Sequence, residues 1–373
     1  MKKHVLMYVV LLVLFSPVCL TANPFENELN SLTAQIEQKT DKNTLFNLYK
    51  QRGLLYANNG MSTEAFSDFY ALYDVAVTKE QYHEASQILI SFLLHLNYDE
   101  AFQSALSIAN YYVQCFPDDW RTYKWRSDVY LRLGQADNVL ADYEQMERLL
   151  SSVDAGFEAD MGIVELYLYV TTRQEKYKTS ARNRLANANQ MLLDSGASLS
   201  FDLDSNAYKI CYCNAMSQFV TGSGGSNDAL KLLCEENPDV LDPLFLLALS
   251  EYFSGDYEAC LQTTDRLISK TSGQTPDGKS LHGDFMRLES GFYIMFMRIN
   301  IYQHYVDEAK VSESLKIYAR EEIDRHLAAI NDDVVQSLMP GHATTVDEIS
   351  ACLDKDAISL GLVSSFWETF RLW

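Results

Sequence analysis

One stretch of this chain occurs twice, 74 residues apart, and that spacing constrains the fold more than any other feature. Leu48-Tyr49-Lys50-Gln51-Arg52-Gly53-Leu54-Leu55-Tyr56 runs on to Gly60, Ala65 and Phe69. Thr122-Tyr123-Lys124-Trp125-Arg126-Ser127-Asp128-Val129-Tyr130 runs on to Gly134, Val139 and Tyr143. Tyr49/Tyr123, Arg52/Arg126, Gly53/Ser127, Tyr56/Tyr130, Gly60/Gly134 and Phe69/Tyr143 fall in register. A fixed period of this kind marks stacked helix pairs rather than one closed core.

Half of 74 is 37, so a third, cryptic copy should lie between the two clear ones. A helix through Ile88, Phe92 and Leu93, a break at Asn97, and a second stripe of Ala101, Ala105 and Ile108 supply it. Around these copies the turn chemistry is local. Asn59-Gly60 suits the left-handed end of a helix, Ser62 can cap the next helix, and Phe116-Pro117-Asp118-Asp119-Trp120 ends one helix and caps another. Later, Ala248, Gly255-Asp256-Tyr257-Glu258-Ala259, Cys260 and Leu267 repeat the pattern. There Glu251 stands where a tyrosine is expected and Thr264 where an aromatic is expected.

These residues resemble the tetratricopeptide repeat family. Tyr49, Gly53, Tyr56, Gly60, Ala65 and Phe69 match its pattern in order, and Tyr123, Ser127, Tyr130, Gly134 and Tyr143 match it again. The period of 37 exceeds the usual ~34, so the connections are slightly longer. The resemblance implies an all-α, right-handed superhelical solenoid of antiparallel helix pairs. Residues 23–43 read as a leading helix and 44–156 as three repeats. Residues 157–283 read as divergent helical repeats, with a repeat-like unit near 241–270 and Tyr167 one 37-residue step beyond Tyr130. Residues 284–373 form a C-terminal helical region that includes a long apolar helix over Phe285–Tyr305.

The first 22 residues read as a secretory signal. Lys2 and Lys3 precede an apolar Val5–Phe15, Ser16-Pro17 breaks it, and Leu20-Thr21-Ala22 offers cleavage after Ala22. The apolar run is short for a membrane span. Pro17 and Val18 depart from the small residues of a lipoprotein site, which argues against a lipid at Cys19. Export to the periplasm or the medium is the expectation. Loss of Lys2 and Lys3 takes the formal charge from −21 to −23. Such a surface repels nucleic acid, whose binding needs clustered Lys and Arg.

No catalytic constellation stands out. Gly222-Ser223-Gly224-Gly225 lacks the preceding strand and following lysine of a phosphate loop, and reads as a linker. His304/Glu308 and Glu322/His326 are spaced for one helix face but lack further ligands, so they read as solvated pairs. Asp118-Asp119 and Asp332-Asp333 read as caps. The expectation is a protein without enzyme activity, cofactor or metal. Six cysteines follow the signal. Cys115, Cys211, Cys234 and Cys260 lie in apolar helical surroundings, where a thiol acts as a small hydrophobe. Cys211 or Cys213 with Cys234 is the best candidate for a disulfide.

What remains is binding. In the resembled family the first helix of each pair lines a concave groove. The corresponding residues include Asn47, Lys50 and Leu54 in the first copy, and Arg121, Lys124, Asp128 and Arg132 in the second. In the later unit they include Phe245, Tyr252 and Phe253. This groove would run from polar and basic to apolar. The terminal segment of Leu360, Leu362, Val363, Phe366, Trp367, Phe370, Leu372 and Trp373 either folds back onto the solenoid or docks on another subunit or the envelope membrane through Phe366, Trp367, Phe370 and Trp373. The expected function is an exported scaffold that binds a protein or peptide. The alternative is an envelope component that holds a glycan or small ligand, favoured if aromatic pockets open near Phe245, Tyr252 and Phe253.

Overall fold

The computed structural model describes residues 24–195, 205–222, 227–271, 290–331 and 343–371. The signal segment 1–22, the glycine loop at 223–225, the turn at 275–278, Asp332-Asp333 and Trp373 lie outside the described residues. The described residues are all-α, with no strand among them. In chain order the helices are α1 (Pro24–Gln38), α2 (Lys42–Asn58), α3 (Ser62–Val75), α4 (Lys79–Leu96), α5 (Asp99–Cys115), α6 (Trp120–Arg132), α7 (Ala136–Leu149), α8 (Ala155–Thr172) and α9 (Glu175–Asp194). They continue with α10 (Asn206–Thr221), α11 (Asn227–Glu236), α12 (Asp242–Ser254), α13 (Tyr257–Thr271), α14 (Ser290–Asp307), α15 (Glu313–Ile330), α16 (Val346–Cys352) and α17 (Lys355–Phe370). Two compact units divide within α6, one ending at Val129 and the other beginning at Tyr130.

In the first unit, antiparallel pairs α2/α3 and α4/α5 follow the leading helix α1, and each helix packs on the next. Asp41 caps α2 by accepting from the Thr44 amide at 2.8 Å. Thr78 and Gln81 form a reciprocal capping box at the start of α4. Gly60 and Asn97 take left-handed conformations between paired helices, with φ of 74° and 55°. Ser62 is not a cap: it is already the first residue of α3, and Met61 before it caps nothing with its side chain. The core stripe of α3 is Ala65, Phe69, Leu72 and then Ala76 just beyond it, all buried. Phe69 meets Phe92 edge-on at 5.2 Å.

Gly53 marks the closest approach of α2 and α3. A Cβ there would lie 2.6 Å from Phe69 Cε1 and 3.3 Å from Asp68 Cβ. Glycine weakens the helix by roughly 0.5–1 kcal/mol against alanine, and close packing offsets that. Gly53→Leu is therefore expected to destabilise the chain by about 1–3 kcal/mol through overpacking. A urea titration checks it, and an unmoved midpoint would contradict the placement. One residue earlier, Arg52 grips Asp68 with two hydrogen bonds of 2.8 and 2.7 Å, and also donates to Thr33 Oγ1 at 3.1 Å. One guanidinium thus ties α1, α2 and α3 together. Asp142 stands 74 residues after Asp68 and is also buried.

In the second unit, α8 is packed by α7, α9, α10 and α17. Gly162 is its contact point with α9, where a Cβ would meet Leu185 Cγ at 2.7 Å. Gly162 plays the part of Gly53, so Glu165 holds the place that Tyr56 holds in the first copy. The 37-residue step to Tyr167 is therefore two residues off. Arg184 of α9 answers the acidic side of α8. It donates to Glu158 at 3.0 Å and to the two oxygens of Glu147 at 3.1 and 3.0 Å, and its Nε lies 3.6 Å from Glu165. Burial pushes the Glu165 carboxyl up, and Ser180 and Arg184 oppose that push.

The terminal helix α17 folds back. Trp367 is buried and stacks on Tyr167 with centroids 4.5 Å apart, and Phe366 packs against Tyr212 at 6.2 Å. Lys209 and Lys355 lie over the Phe370 and Phe219 rings at 5.1 and 4.9 Å. Phe366, Trp367 and Phe370 are therefore core and not a docking surface, because α8 and α10 already cover them. Among the described residues no helix is long and apolar enough to cross a membrane.

Three further expectations are corrected. The six cysteines are all free thiols, so no bond joins Cys211 or Cys213 to Cys234. Burial pushes the Cys211 and Cys234 thiols up to about 11. Cys115 is exposed rather than buried. The Glu322/His326 pair is not solvated: Glu322 is buried and His326 is half-buried beside it. The buried Arg298 of α14 donates from Nε to His326 Nε2 at 3.2 Å, and from its other nitrogens to Tyr302, Thr264 and Asp265.

That hydrogen bond requires a neutral His326. Burial first, and then Arg298 and Arg325, hold its pKa below the ordinary value, against Glu322 and Asp265. A histidine whose pKa is depressed on folding contributes stability above about pH 6.5, and that stability is lost as pH falls. His326→Gln keeps an acceptor and removes the titration. The wild type is expected to lose stability relative to this variant between pH 7 and pH 5. Parallel denaturation curves for the two proteins check it.

Candidate binding site

The residues expected on the first-helix face are, for the most part, engaged inside the protein. Lys50 on α2 forms an ion pair with Glu84 on α4 at 2.8 Å. Arg121 turns back to Asp119 with contacts of 2.9 and 2.7 Å and holds that carboxyl well below the usual carboxylate range. Lys124 pairs with Asp128 one turn on. The expected basic end is thus neutralised by local carboxylates. Asn47 is exposed and donates to its own helix at Asn43. Leu54 is 46% exposed and is the one large apolar side chain open on this face of α2. Arg132 is half-buried, and its carbonyl accepts from Arg371 at 3.3 Å.

The expected apolar end is not open. Phe245 is fully buried, because the whole first half of α12 is core. Tyr252 is half-buried and donates to Asn300 Oδ1 at 2.9 Å. Phe253 packs on Phe219 and Tyr252 at 5.9 and 5.1 Å.

The open aromatic surface is elsewhere, on the second helices of the first unit. Phe66, Tyr70 and Tyr73 are spaced four and three residues apart on α3, beside its core stripe. Ile108, Tyr111 and Cys115 are spaced three and four apart on α5. Each set is a second helical stripe, turned away from the partner helix of its own pair. Tyr82 and Ser86 of α4, the first helix between them, form the floor.

The result is a groove of about 450 Å³ lined by Tyr70, Tyr73, Asp74, Tyr82, Ser107, Ile108 and Tyr111. It leads into a smaller cavity of about 200 Å³ that reaches Tyr112, Cys115 and Phe116. The rings stand as tilted walls: Tyr70–Tyr73 at 6.3 Å and 50°, Tyr73–Tyr82 at 6.5 Å and 47°, Tyr82–Phe116 at 6.2 Å and 48°. Tyr70 is 55% exposed and Tyr111 is 61% exposed.

Burial pushes Tyr73 up to about 12, and its hydroxyl donates to Ser86 Oγ at 2.9 Å. Ser86 in turn donates to the Tyr82 carbonyl at 2.8 Å. Tyr111 is raised by the neighbouring Cys115 thiol. Asp74 supplies the only carboxylate among the lining residues. Lys42 donates to the backbone carbonyl of Asp74 at 3.3 Å, and no ion pair engages the Asp74 carboxylate among the described residues. Among those residues no group of His, Cys, Asp and Glu side chains is placed to hold a metal ion.

The sequence reading missed this groove because it followed the first helices. The spacing of Phe66, Tyr70 and Tyr73 beside a complete core stripe was the available signal.

The chain is an all-α protein of tetratricopeptide-like helix pairs. No family model and no curated protein matches it. Three solved structures are loosely similar. YrrB, described as a TPR protein with an unusual peptide-binding site, is 14% identical over 56% of this chain and 94% of its own, with a TM-score of 0.43. A tetratricopeptide repeat protein from Parabacteroides merdae is 11% identical over 82% of this chain and 99% of its own, with a TM-score of 0.45. PilF of Pseudomonas aeruginosa is 13% identical over 84% of this chain and 99% of its own, with a TM-score of 0.40. The likeness is too loose to transfer a binding site or a partner.

Proposed function

We propose that this protein is a non-catalytic scaffold that binds another protein or a peptide, and that it acts after export. The observation that carries the reading is the tyrosine-lined groove between α3 and α5, with Tyr70 and Tyr111 both more than half exposed. Tyrosine supplies large, rigid, amphipathic contact area at low entropic cost, which is why it is enriched at the cores of protein interfaces. Repeated helix pairs supply a stiff frame for such a surface. Export rests on the basic and apolar pattern of residues 2–15 and the break at Ser16-Pro17. The glycan reading needed open aromatic pockets near Phe245, Tyr252 and Phe253, and of these Phe245 is core while Tyr252 and Phe253 are half-buried.

Affinity capture with the full mature chain as bait, competed by excess free chain, tests the reading. A protein retained in near-stoichiometric amount and released by the competitor is the expected result. Retention of nothing contradicts it, and a rise in Tm with soluble oligosaccharides would move the ligand to another class.

A further inference from the structure

The groove carries a chemical preference of its own. We propose that it takes an extended peptide segment and seats an arginine side chain of that segment against the tyrosine faces beside Asp74. The inference rests on the protein-binding reading above and names the chemistry of the partner.

Three observations converge on a cation. The rings of Tyr70, Tyr73 and Tyr82 are tilted by 47–50° at 6.3–6.5 Å, so they present faces to the space between them rather than stacking it shut. The negative face of a neutral aromatic ring attracts a cation. Asp74 adds a carboxylate to the same wall. At the end of the smaller cavity a cation already sits on a ring beside a carboxylate: the Lys79 ammonium pairs with Asp119 at 2.9 Å and lies 5.6 Å from the centroid of Phe116.

The shape favours a chain segment over a compact ion. The larger space of about 450 Å³ continues past Tyr73, Tyr82 and Tyr111 into the smaller one, so the site is elongated. Arginine suits it better than lysine. Its planar guanidinium stacks on rings and forks onto a carboxylate, and it is less strongly hydrated than an ammonium. The formal charge of −21 over the whole chain steers such a segment toward the protein and repels acidic ones. The Lys42 ammonium is held on the Asp74 carbonyl at 3.3 Å.

The test uses the full chain and two fluorescein-labelled decapeptides, one alternating Gly and Arg and one with citrulline in place of every Arg. Citrulline keeps the shape and removes the charge. Anisotropy titrations are run at about 0.15 M salt, where contacts between exposed charges beyond ~8 Å are screened. The arginine peptide is expected to bind at least tenfold more tightly than the citrulline peptide. Tyr70→Ser/Tyr111→Ser and Asp74→Asn are each expected to weaken it about tenfold. All three positions are exposed, and circular dichroism confirms that the variants fold. Equal binding of both peptides, no binding of either, or full binding by the tyrosine variant overturns the proposal.

Affinity capture separates this failure from that of the scaffold reading. A partner retained equally by wild type and the tyrosine variant removes the groove and leaves the scaffold. A partner retained by neither removes the scaffold itself.

Discussion

Trp367→Ala is expected to lower the unfolding free energy of the second unit by about 3–5 kcal/mol, the range for truncating a buried large aromatic. The ring is 1% exposed and lies parallel to Tyr167 at 4.5 Å, 11° from coplanar. Its removal leaves a void between α17 and α8, beside the buried Phe366 and Leu362. Deleting residues 366–373 is expected to go further and give a product that does not fold cooperatively. The opposite result, a folded product that has lost only a partner, would make α17 an interface after all. Urea unfolding followed by circular dichroism distinguishes them. Intrinsic fluorescence alone would mislead, since the substitution removes one of four tryptophans.

Arg184→Met is expected to cost about 3 kcal/mol at pH 7. The methionine fills much of the arginine stem but leaves Glu147, Glu158 and Glu165 without their shared cation. Breaking a buried pair from one side costs roughly 3–5 kcal/mol, because the remaining charges stay desolvated. Glu158 and Glu165 are 9% and 7% exposed, but Glu147 is 38% exposed and can turn to water, so the lower end applies. The deficit has a definite pH dependence. Unpaired carboxylates in one buried cluster bind protons more readily than they do in the unfolded chain. The deficit therefore shrinks as pH falls from 7 toward 5. Glu165→Gln in the same background is expected to restore part of it. A deficit independent of pH would show that lost packing, and not charge, is the cause.

Much of the helical scaffold was legible before any coordinates. The echo of Tyr49 and Tyr123 carried the helix pairs, because a small residue at Gly53 or Ser127 has one physical purpose in a helix of this pattern: to admit a neighbour. The ring of Phe69, 2.6 Å from a hypothetical Cβ, is that neighbour. The Arg52 and Arg126 of the echo were visible only as register. The role of Arg52 needed the position of Asp68 on the next helix. Register slipped where the pattern weakened: Gly162 is the small residue of α8, yet no tyrosine follows it three residues on, and Tyr167 drew attention instead. The closing role of α17 was half legible. Its apolar circumference called for burial or a partner, and only the stack of Trp367 on Tyr167 decides between them.

The binding surface was less legible, for a different reason. Charge on a sequence does not reveal whether it is spent locally. Lys50, Arg121 and Lys124 looked like an open basic face, and each is met by Glu84, Asp119 or Asp128. Phe245 looked like a groove residue, and the helix that bears it is core over most of its circumference. The tyrosine groove depends on side chains of α3 and α5 lining one space with Tyr82 of α4 between them. That proximity follows from the stacking of pairs and not from any local motif.

Site-specific photocrosslinking addresses the central claim most directly. A photoreactive phenylalanine analogue replaces Tyr111 in the groove in one protein, and Ile317, a 51% exposed apolar residue on α15, in another. Both proteins are irradiated in the cells that make them. A discrete adduct with another protein from position 111, absent or much weaker from position 317, is the predicted result. No adduct from position 111, or equal adducts from both, would contradict a scaffold that grips its partner through the tyrosine groove.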